Sequence, residues 1–208
     1  MGSHRAPGDL KLQIIKGTQH LIAEGGMSNF SFPKLTAETG IKAPTVYEYY
    51  ESKEKLLLSC YLQIDGEIAE LIAKIIESIP LDENDSKKLN EYCQLLWMVY
   101  WKYLLSDHDR TLFYWRFYNS EFYTSDVTAM RTVHFKRFIE FVNMLGENYK
   151  AFENHNIMIM LANMVDATIS AAVKVINGTY ENNDITVNTV YRMIFQPVFS
   201  VFDIDVYK

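Results

Sequence analysis

Helix breakers are scarce and widely spaced in this chain, and that constrains its fold more than any other feature. Nine glycines and five prolines punctuate 208 residues. Between them apolar side chains recur at the three- and four-residue intervals of helices. From Asp9 to Ala23 one broad stripe of Leu12, Ile15, Gln19 and Ile22, with Ile14, Thr18 and Leu21, runs until Gly25-Gly26, a helix C-terminal signal. A sandwich or barrel needs a turn roughly every 8–12 residues, which so few breakers cannot supply. The pattern implies an all-α fold of about nine helices: an N-terminal three-helix unit followed by a C-terminal helical bundle.

The breakers also place the elements. Ser31 opens a short helix, Phe32 to Thr39, closed by Gly40; Ala43 or Pro44 opens another that ends near Tyr50. Pro suits a first helical turn because its missing N–H has no intrahelical partner there. Ser52 is a good N-cap for a long helix toward Ser78, with Glu54 in its first turn and Pro80 as the stop. At 1.5 Å per residue that helix spans roughly 40 Å, enough to join two parts of the molecule. Beyond the polar stretch Asp82 to Lys88, helices are expected at 87–106, 109–120, 125–149, 154–177 and 186–202, with Pro197 kinking or ending the last. The chain therefore reads as an arm or cloning scar at 1–8, a helix-turn-helix domain at 9–51 and a second domain at 52–208, of which 52–78 is the connecting helix.

Charge speaks against nucleic acid only on average. The net charge is −6 with a pI near 5.4, and phosphate neutralisation needs clustered Lys and Arg. Residues 1–60, however, hold seven basic side chains against six acidic, so the negative excess lies in the rest. Cys60 and Cys93 and the five histidines show no metal-ligand spacing, and there is no phosphate loop, nucleophile elbow or paired Glu-x-x-His. No catalytic residue, metal or cofactor is expected. The most apolar stretch, Ile157 to Ile176, is interrupted by Asn163, Asp166 and Lys174, and the polar MGSHRAPG start is no signal peptide, so no membrane association and a cytoplasmic location are expected.

The segment Ser31 to Leu57, SFPKLTAETGIKAPTVYEYYESKEKLL, has the layout of a helix-turn-helix. Val46 and Tyr50 share a face with Ile41 and should anchor the unit on Leu35 and the first helix. Thr45, Glu48 and Tyr49 then point outward, with Lys42 and Ala43 at the helix start. In this docking mode the N-terminal residues of the second helix reach base edges in the major groove.

Here the sequence resembles the TetR/AcrR family of transcriptional regulators. The resemblance rests on Thr39-Gly40-Ile41, then Thr45-Val46-Tyr47-Glu48-Tyr49-Tyr50, then Ser52-Lys53-Glu54-Lys55-Leu56-Leu57. It implies that Thr45 and Tyr49 approach bases or phosphates, while the Tyr47 hydroxyl and Lys53 grip the backbone. Lys53 also lies at the N-terminus of the long helix, where the macrodipole and free N–H groups favour a phosphate. Lys42 and Pro44 depart from the family's usual Ser/Thr and Gly; the lysine loses a side-chain cap and gains a cation for phosphate or a guanine edge. The expected DNA-contacting set is Ser31, Lys34, Lys42, Ala43, Thr45, Tyr47, Tyr49 and Lys53.

Two further surfaces follow from composition and resemblance together. Trp97, Tyr100, Trp101, Tyr114, Trp115 and Tyr118 concentrate aromatic walls and polar tips in two consecutive helices, as a pocket for a small amphipathic effector requires; these side chains equally suit an ordinary core. Asp166 and Glu140 are carboxylates amid apolar neighbours, able to select a cationic ligand or simply to face solvent or a partner. Ala162, Ala167 and Ala171, with Val190, Ile194 and Val198, offer small and apolar surface for a dimer, although a monomeric bundle can bury the same side chains. Two-fold symmetry would match a pseudo-palindromic operator. The sequence thus reads as a ligand-responsive DNA-binding regulator, a repressor by resemblance, with a helical carrier or enzyme and a DNA-free adaptor as its rivals.

Overall fold

The computed structural model describes residues 7–79, 86–149 and 157–201. The N-terminal arm through residue 6, the Pro80 stop, residues 82–85 of the polar stretch, His4, His155, and residues 154–156 and 202 at two expected helix ends lie outside them. Among the described residues are ten α-helices and one 3-10 turn, and no strand. The helices are α1 (Pro7–Gly25), α2 (Phe32–Thr39), α3 (Ala43–Tyr50), α4 (Lys53–Ile76), α5 (Ser86–Leu105), α6 (His108–Tyr118), α7 (Ser125–His134), α8 (Lys136–Tyr149), α9 (Ile157–Ile176) and α10 (Asp184–Val201).

Two differences from the sequence reading have local causes. The single helix expected over 125–149 is divided at Phe135. No Gly or Pro marks the break, but Thr132, Val133, His134 and Phe135 form a run of weak helix formers. Pro197 does not end α10, which continues to Val201. Its missing N–H leaves the Met193 carbonyl without an i+4 partner. Met193 is 71% exposed, so water can serve that carbonyl.

The chain divides into two compact units, Met1–Gly66 with Asp107–Val133, and Glu67–Ser106 with His134–Lys208. Helix α4 contributes its first part to one and the remainder to the other. In the first unit α1 packs along α6 and α2, over a core that includes Ile14, Ile22, Leu35, Tyr61, Phe113 and Phe117. Gly17 permits the close approach of α1 to α2, since a Cβ there would lie 2.4 Å from Thr39 Cγ2 and 3.0 Å from Leu35 Cδ1. Polar contacts run along the α1–α6 seam: Lys16 with Asp107, His20 Nδ1 with Asp109 Oδ2 at 2.8 Å, and the Arg116 guanidinium donating to the Ile22 carbonyl. His20, isolated in the sequence, thus gains a partner 89 residues away.

This unit also buries an ion pair. Asp65 is fully buried; it accepts from the Tyr114 hydroxyl at 2.6 Å and from Arg131 Nε at 3.0 and 3.2 Å. Arg131 in turn donates to the Tyr123 and Tyr114 hydroxyls at 3.1 and 3.2 Å. Tyr61 stacks between Tyr114 and Phe117, at centroid distances of 4.8 and 4.5 Å. Burial pushes the Tyr61 phenol well above its ordinary pKa, which keeps it neutral.

The second unit is held by α5, α9 and α10. Trp97 and Trp101 stack at 5.2 Å, and the Trp97 indole N–H donates to Thr168 Oγ1 at 3.1 Å. That bond satisfies the polar tip of a buried aromatic ring. Tyr191, Phe195 and Phe199 of α10 form a buried row, and the Tyr191 hydroxyl reaches Asn90 Oδ1 at 2.9 Å. The stretch Met158–Ile176 has a mean hydropathy of 1.6 and, by length and composition, would suffice to cross a membrane despite its interruptions.

Candidate nucleic-acid interface

The geometry of α2, the turn and α3 follows from a few local residues. Ser31 caps α2 by accepting the Lys34 N–H at 3.4 Å. Gly40 ends the helix with φ 72°, ψ 2°, a left-handed conformation that a Cβ disfavours, and its N–H donates to the Thr36 carbonyl at 2.8 Å. Thr39 Oγ1 then accepts the Ile41 N–H at 3.1 Å, which carries the chain out of the turn. Lys42 is the N-cap of α3 and makes no side-chain cap bond, as its substitution for Ser/Thr implied. Pro44 sits in the first turn of α3, where its missing N–H costs little.

The faces of α3 divide as the four-residue spacing requires. Val46, Tyr50 and the preceding Ile41 are buried, as is Leu35 of α2. Burial raises the Tyr50 phenol to a pKa of about 12. Lys42, Pro44, Tyr47 and Glu48 are exposed, with Ala43, Thr45 and Tyr49 half-buried. The Tyr47 ring rests on Phe32 with centroids 4.6 Å apart, which fixes the ring while 47% of the residue remains accessible. Ser31 and Lys34 lie at the start of α2, the Lys34 ammonium bonded to the Asn29 side-chain oxygen.

Lys53 opens α4 with its ammonium 5.7 Å from the Phe30 ring centroid and 5.8 Å from that of Phe122. Two aromatic faces thus restrict a long side chain, which lowers the entropy lost when it meets an anion. The free N–H groups expected beside it are partly taken. Ser52 Oγ accepts the Lys55 N–H at 3.2 Å, and the Glu54 carboxyl is held below its ordinary pKa first by its own backbone N–H and then by the Ser52 hydroxyl. Attraction for a phosphate at this helix start therefore depends mainly on the Lys53 cation.

Comparison with known proteins places this arrangement. Residues 14–60 match the family model described as bacterial regulatory proteins, tetR family. This N-terminal segment is similar to the TetR family. The matched segment begins at the buried Ile14 of α1 and ends at the buried Cys60 of α4. A curated relative, an uncharacterized HTH-type transcriptional regulator of Haemophilus influenzae, is 26% identical over 100 residues. That match covers 48% of this chain and about half, 50%, of the relative.

Solved structures of the TetR family extend the likeness of fold to most of the chain. A TetR family transcription regulator from Marinobacter aquaeolei has a TM-score of 0.73 at 18% identity, covering 89% of this chain and 93% of its own. The regulator FadR from Bacillus subtilis, in complex with stearoyl-CoA, has a TM-score of 0.65 at 16% identity, covering 88% and 96%.

The other expected site residues are more dispersed. Trp97, Tyr100 and Trp101 belong to the second unit, whereas Tyr114, Trp115 and Tyr118 belong to the first. Trp97, Trp101 and Tyr114 are buried in stacking or hydrogen bonding, and the Tyr118 ring lies 5.7 Å from the Arg131 guanidinium. Asp166 is exposed on α9, and Glu140 is exposed with Lys136 at 3.6 Å. Ala171, Val190 and Ile194 are buried within the chain, Val198 is half-buried, and Ala162 and Ala167 are exposed.

Sequence reasoning passed over Lys11. Its ammonium lies 5.6 Å from the Tyr49 ring centroid, at an open crevice of about 610 Å³ that Leu12, Tyr50, Lys55 and Gln63 also line. Its place beside the outward face of α3 is a tertiary fact; in the sequence Lys11 is one of several polar residues on an amphipathic helix.

Proposed function

We propose that this chain is a ligand-responsive transcriptional repressor, not an enzyme, which acts in the cytoplasm and binds a pseudo-palindromic double-stranded DNA operator as a homodimer. Residues 9–51 read DNA; residues 52–208 take up the effector and form the dimer. The observation that carries this reading is the division of α3, with Val46 and Tyr50 committed to the core while Lys42, Tyr47 and Glu48 stand outside. Such a helix presents its N-terminal side chains to a major groove without disturbing its own packing.

Ala43, Thr45 and Tyr49 supply contacts to base edges or phosphates, and Ser31, Lys34, Lys53 and Lys11 position the duplex through its backbone. With so few cations in a chain of net charge −6, affinity rests on placed lysines and on two-fold avidity, and non-specific binding is weak.

The effector is a small molecule recognised within the second unit, with Trp97, Tyr100, Trp101 and Asp166 as candidate contacts. The FadR complex with stearoyl-CoA supports the ligand-responsive half of the reading. A ligand shifts the DNA-binding equilibrium only through unequal affinity for the two states, and the 24-residue α4, shared by both units, is the coupling element. The dimer uses the exposed side of α9 and α10, including Ala162, Ala167 and Val198. Met158–Ile176 is only 28% buried within the chain, and a protein partner suits it better than lipid because Asn163 and Asp166 are exposed on it.

Gel-shift and fluorescence binding to DNA upstream of the protein's own coding region, and to genomic fragments, test the proposal. Selective, salt-sensitive binding by a dimer is expected. Absence of selective binding across both sets overturns it.

A further inference from the structure

Helix α1 and helix α6 bring together three metal-ligating side chains that are dispersed in the sequence. His20 and Glu24 stand one turn apart on α1, and Asp109 lies in the first turn of α6. One ligand atom from each lies within 4.8 Å of the others. His20 Nδ1 is 2.8 Å from Asp109 Oδ2, and both side chains are accessible, at 42% and 41% of their surface.

We propose that His20, Glu24 and Asp109 form a site for a first-row divalent transition metal ion that ties α1 to α6. Metal–nitrogen and metal–oxygen bonds of about 2.1 Å place the ligand atoms of a tetrahedral shell about 3.4 Å apart. The three side chains therefore reach a common ion through side-chain rotations that move their ligand atoms by about 1 Å, and water completes the shell.

Their surroundings favour a cation. Glu38 of α2 stands 3.9 Å from His20 Nε2, so the ring nitrogen opposite the proposed metal bond faces another carboxylate, which a further approach of about 1 Å would bring into the hydrogen bond that orients a metal-bound imidazole. Three carboxylates from α1, α2 and α6 thus surround His20, while the nearby Lys16 is paired with Asp107. The imidazole selects zinc, nickel, cobalt or iron over magnesium and calcium, which prefer an all-oxygen shell.

The test is calorimetric titration of the full chain with Zn²⁺, carried out in a His4→Ala background because that N-terminal imidazole is a separate ligand. One Zn²⁺ per chain and a higher Tm on binding are expected, with no comparable response to Mg²⁺. His20→Ala and Asp109→Asn should each weaken Zn²⁺ binding tenfold or more; Asp109→Asn keeps a hydrogen-bond partner for His20 and so separates loss of a ligand from loss of fold. Circular dichroism checks that both variants retain their helices. Lack of saturable binding, unchanged affinity in either variant, or Zn²⁺ binding that leaves Tm unchanged overturns the proposed clamp.

Discussion

Arg131 and Asp65 face each other inside the first unit, with the guanidinium Nε 3.0 Å from one carboxylate oxygen and 3.2 Å from the other. Asp65 has no exposed surface. Removing one partner takes away the other's counter-charge inside the unit, which costs about 3–5 kcal/mol. Asp65→Asn and Arg131→Met should each lower unfolding stability by about that amount in urea titrations. The double variant Asp65→Leu/Arg131→Met should be less destabilised than the sum of Asp65→Leu and Arg131→Met, because neither charge is then stranded. Additive losses would show that the two residues act independently.

This pair also marks where sequence reading stops. Ser31, Gly40 and Ser52 encode their caps and turns within a few residues, and the buried face of α3 follows from the spacing of Val46 and Tyr50; the motif was therefore legible. Asp65 was not singled out from the sequence, since its partner is 66 residues away and becomes identifiable only when α7 packs near α4. The break at Phe135 has no Gly or Pro to announce it, and Pro197 is tolerated because it lies on an exposed side of α10. The aromatic residues were legible as composition but not as placement, since Trp97 and Tyr114 fall in separate units.

Two glycines inside helices should respond oppositely to alanine. At Gly17 a new Cβ would meet Thr39 Cγ2 at 2.4 Å, whereas at Gly66 nothing lies within 4 Å. Gly17→Ala forces α1 from α2 and should destabilise by about 1–3 kcal/mol. Gly66→Ala should stabilise by about 0.4–1 kcal/mol, since it reduces the freedom of the unfolded chain. Thermal or urea denaturation distinguishes the two, and a neutral Gly17→Ala would contradict the close helix approach.

The lysines of the proposed DNA-binding head should divide by role. Lys53→Ala should weaken binding to operator and random DNA alike and reduce the salt slope by about 1 for each lysine lost. Lys42→Ala and Thr45→Ala should instead alter which operator bases are preferred. Titrations at several salt concentrations, against a library of operator variants, separate these outcomes. A sequence-selective effect of Lys53→Ala would place its ammonium at a base edge.

Thiol chemistry should follow burial. Cys60 is fully buried and Cys93 half-buried. Burial raises both thiols, Cys93 to a pKa of about 12. Native protein at pH 8 should therefore react slowly with a disulfide reagent, Cys93 before Cys60, and both should react rapidly in denaturant. The sign for stability follows: above pH 9 the unfolded chain releases thiol protons that the folded chain keeps, so alkali favours unfolding. Cys60→Ala/Cys93→Ala should reduce that alkaline loss when compared with the parent from pH 8 to 10.

The dimer proposal separates residues that single protomers already bury from those they expose. Val190 and Ile194 are 8% and 9% exposed, so truncating them should lower protomer stability whatever the oligomeric state. Ile159 and Met193 are 59% and 71% exposed; lysine there introduces a charge without opening a cavity in the protomer. Ile159→Lys and Met193→Lys should therefore shift the protein toward monomer in sedimentation velocity while its helical circular dichroism is retained. Operator affinity should fall with dimerisation, because two linked heads lose their avidity when separated. If both variants remain dimeric, the dimer must use another surface, and the exposed apolar side chains of α9 and α10 require a different partner.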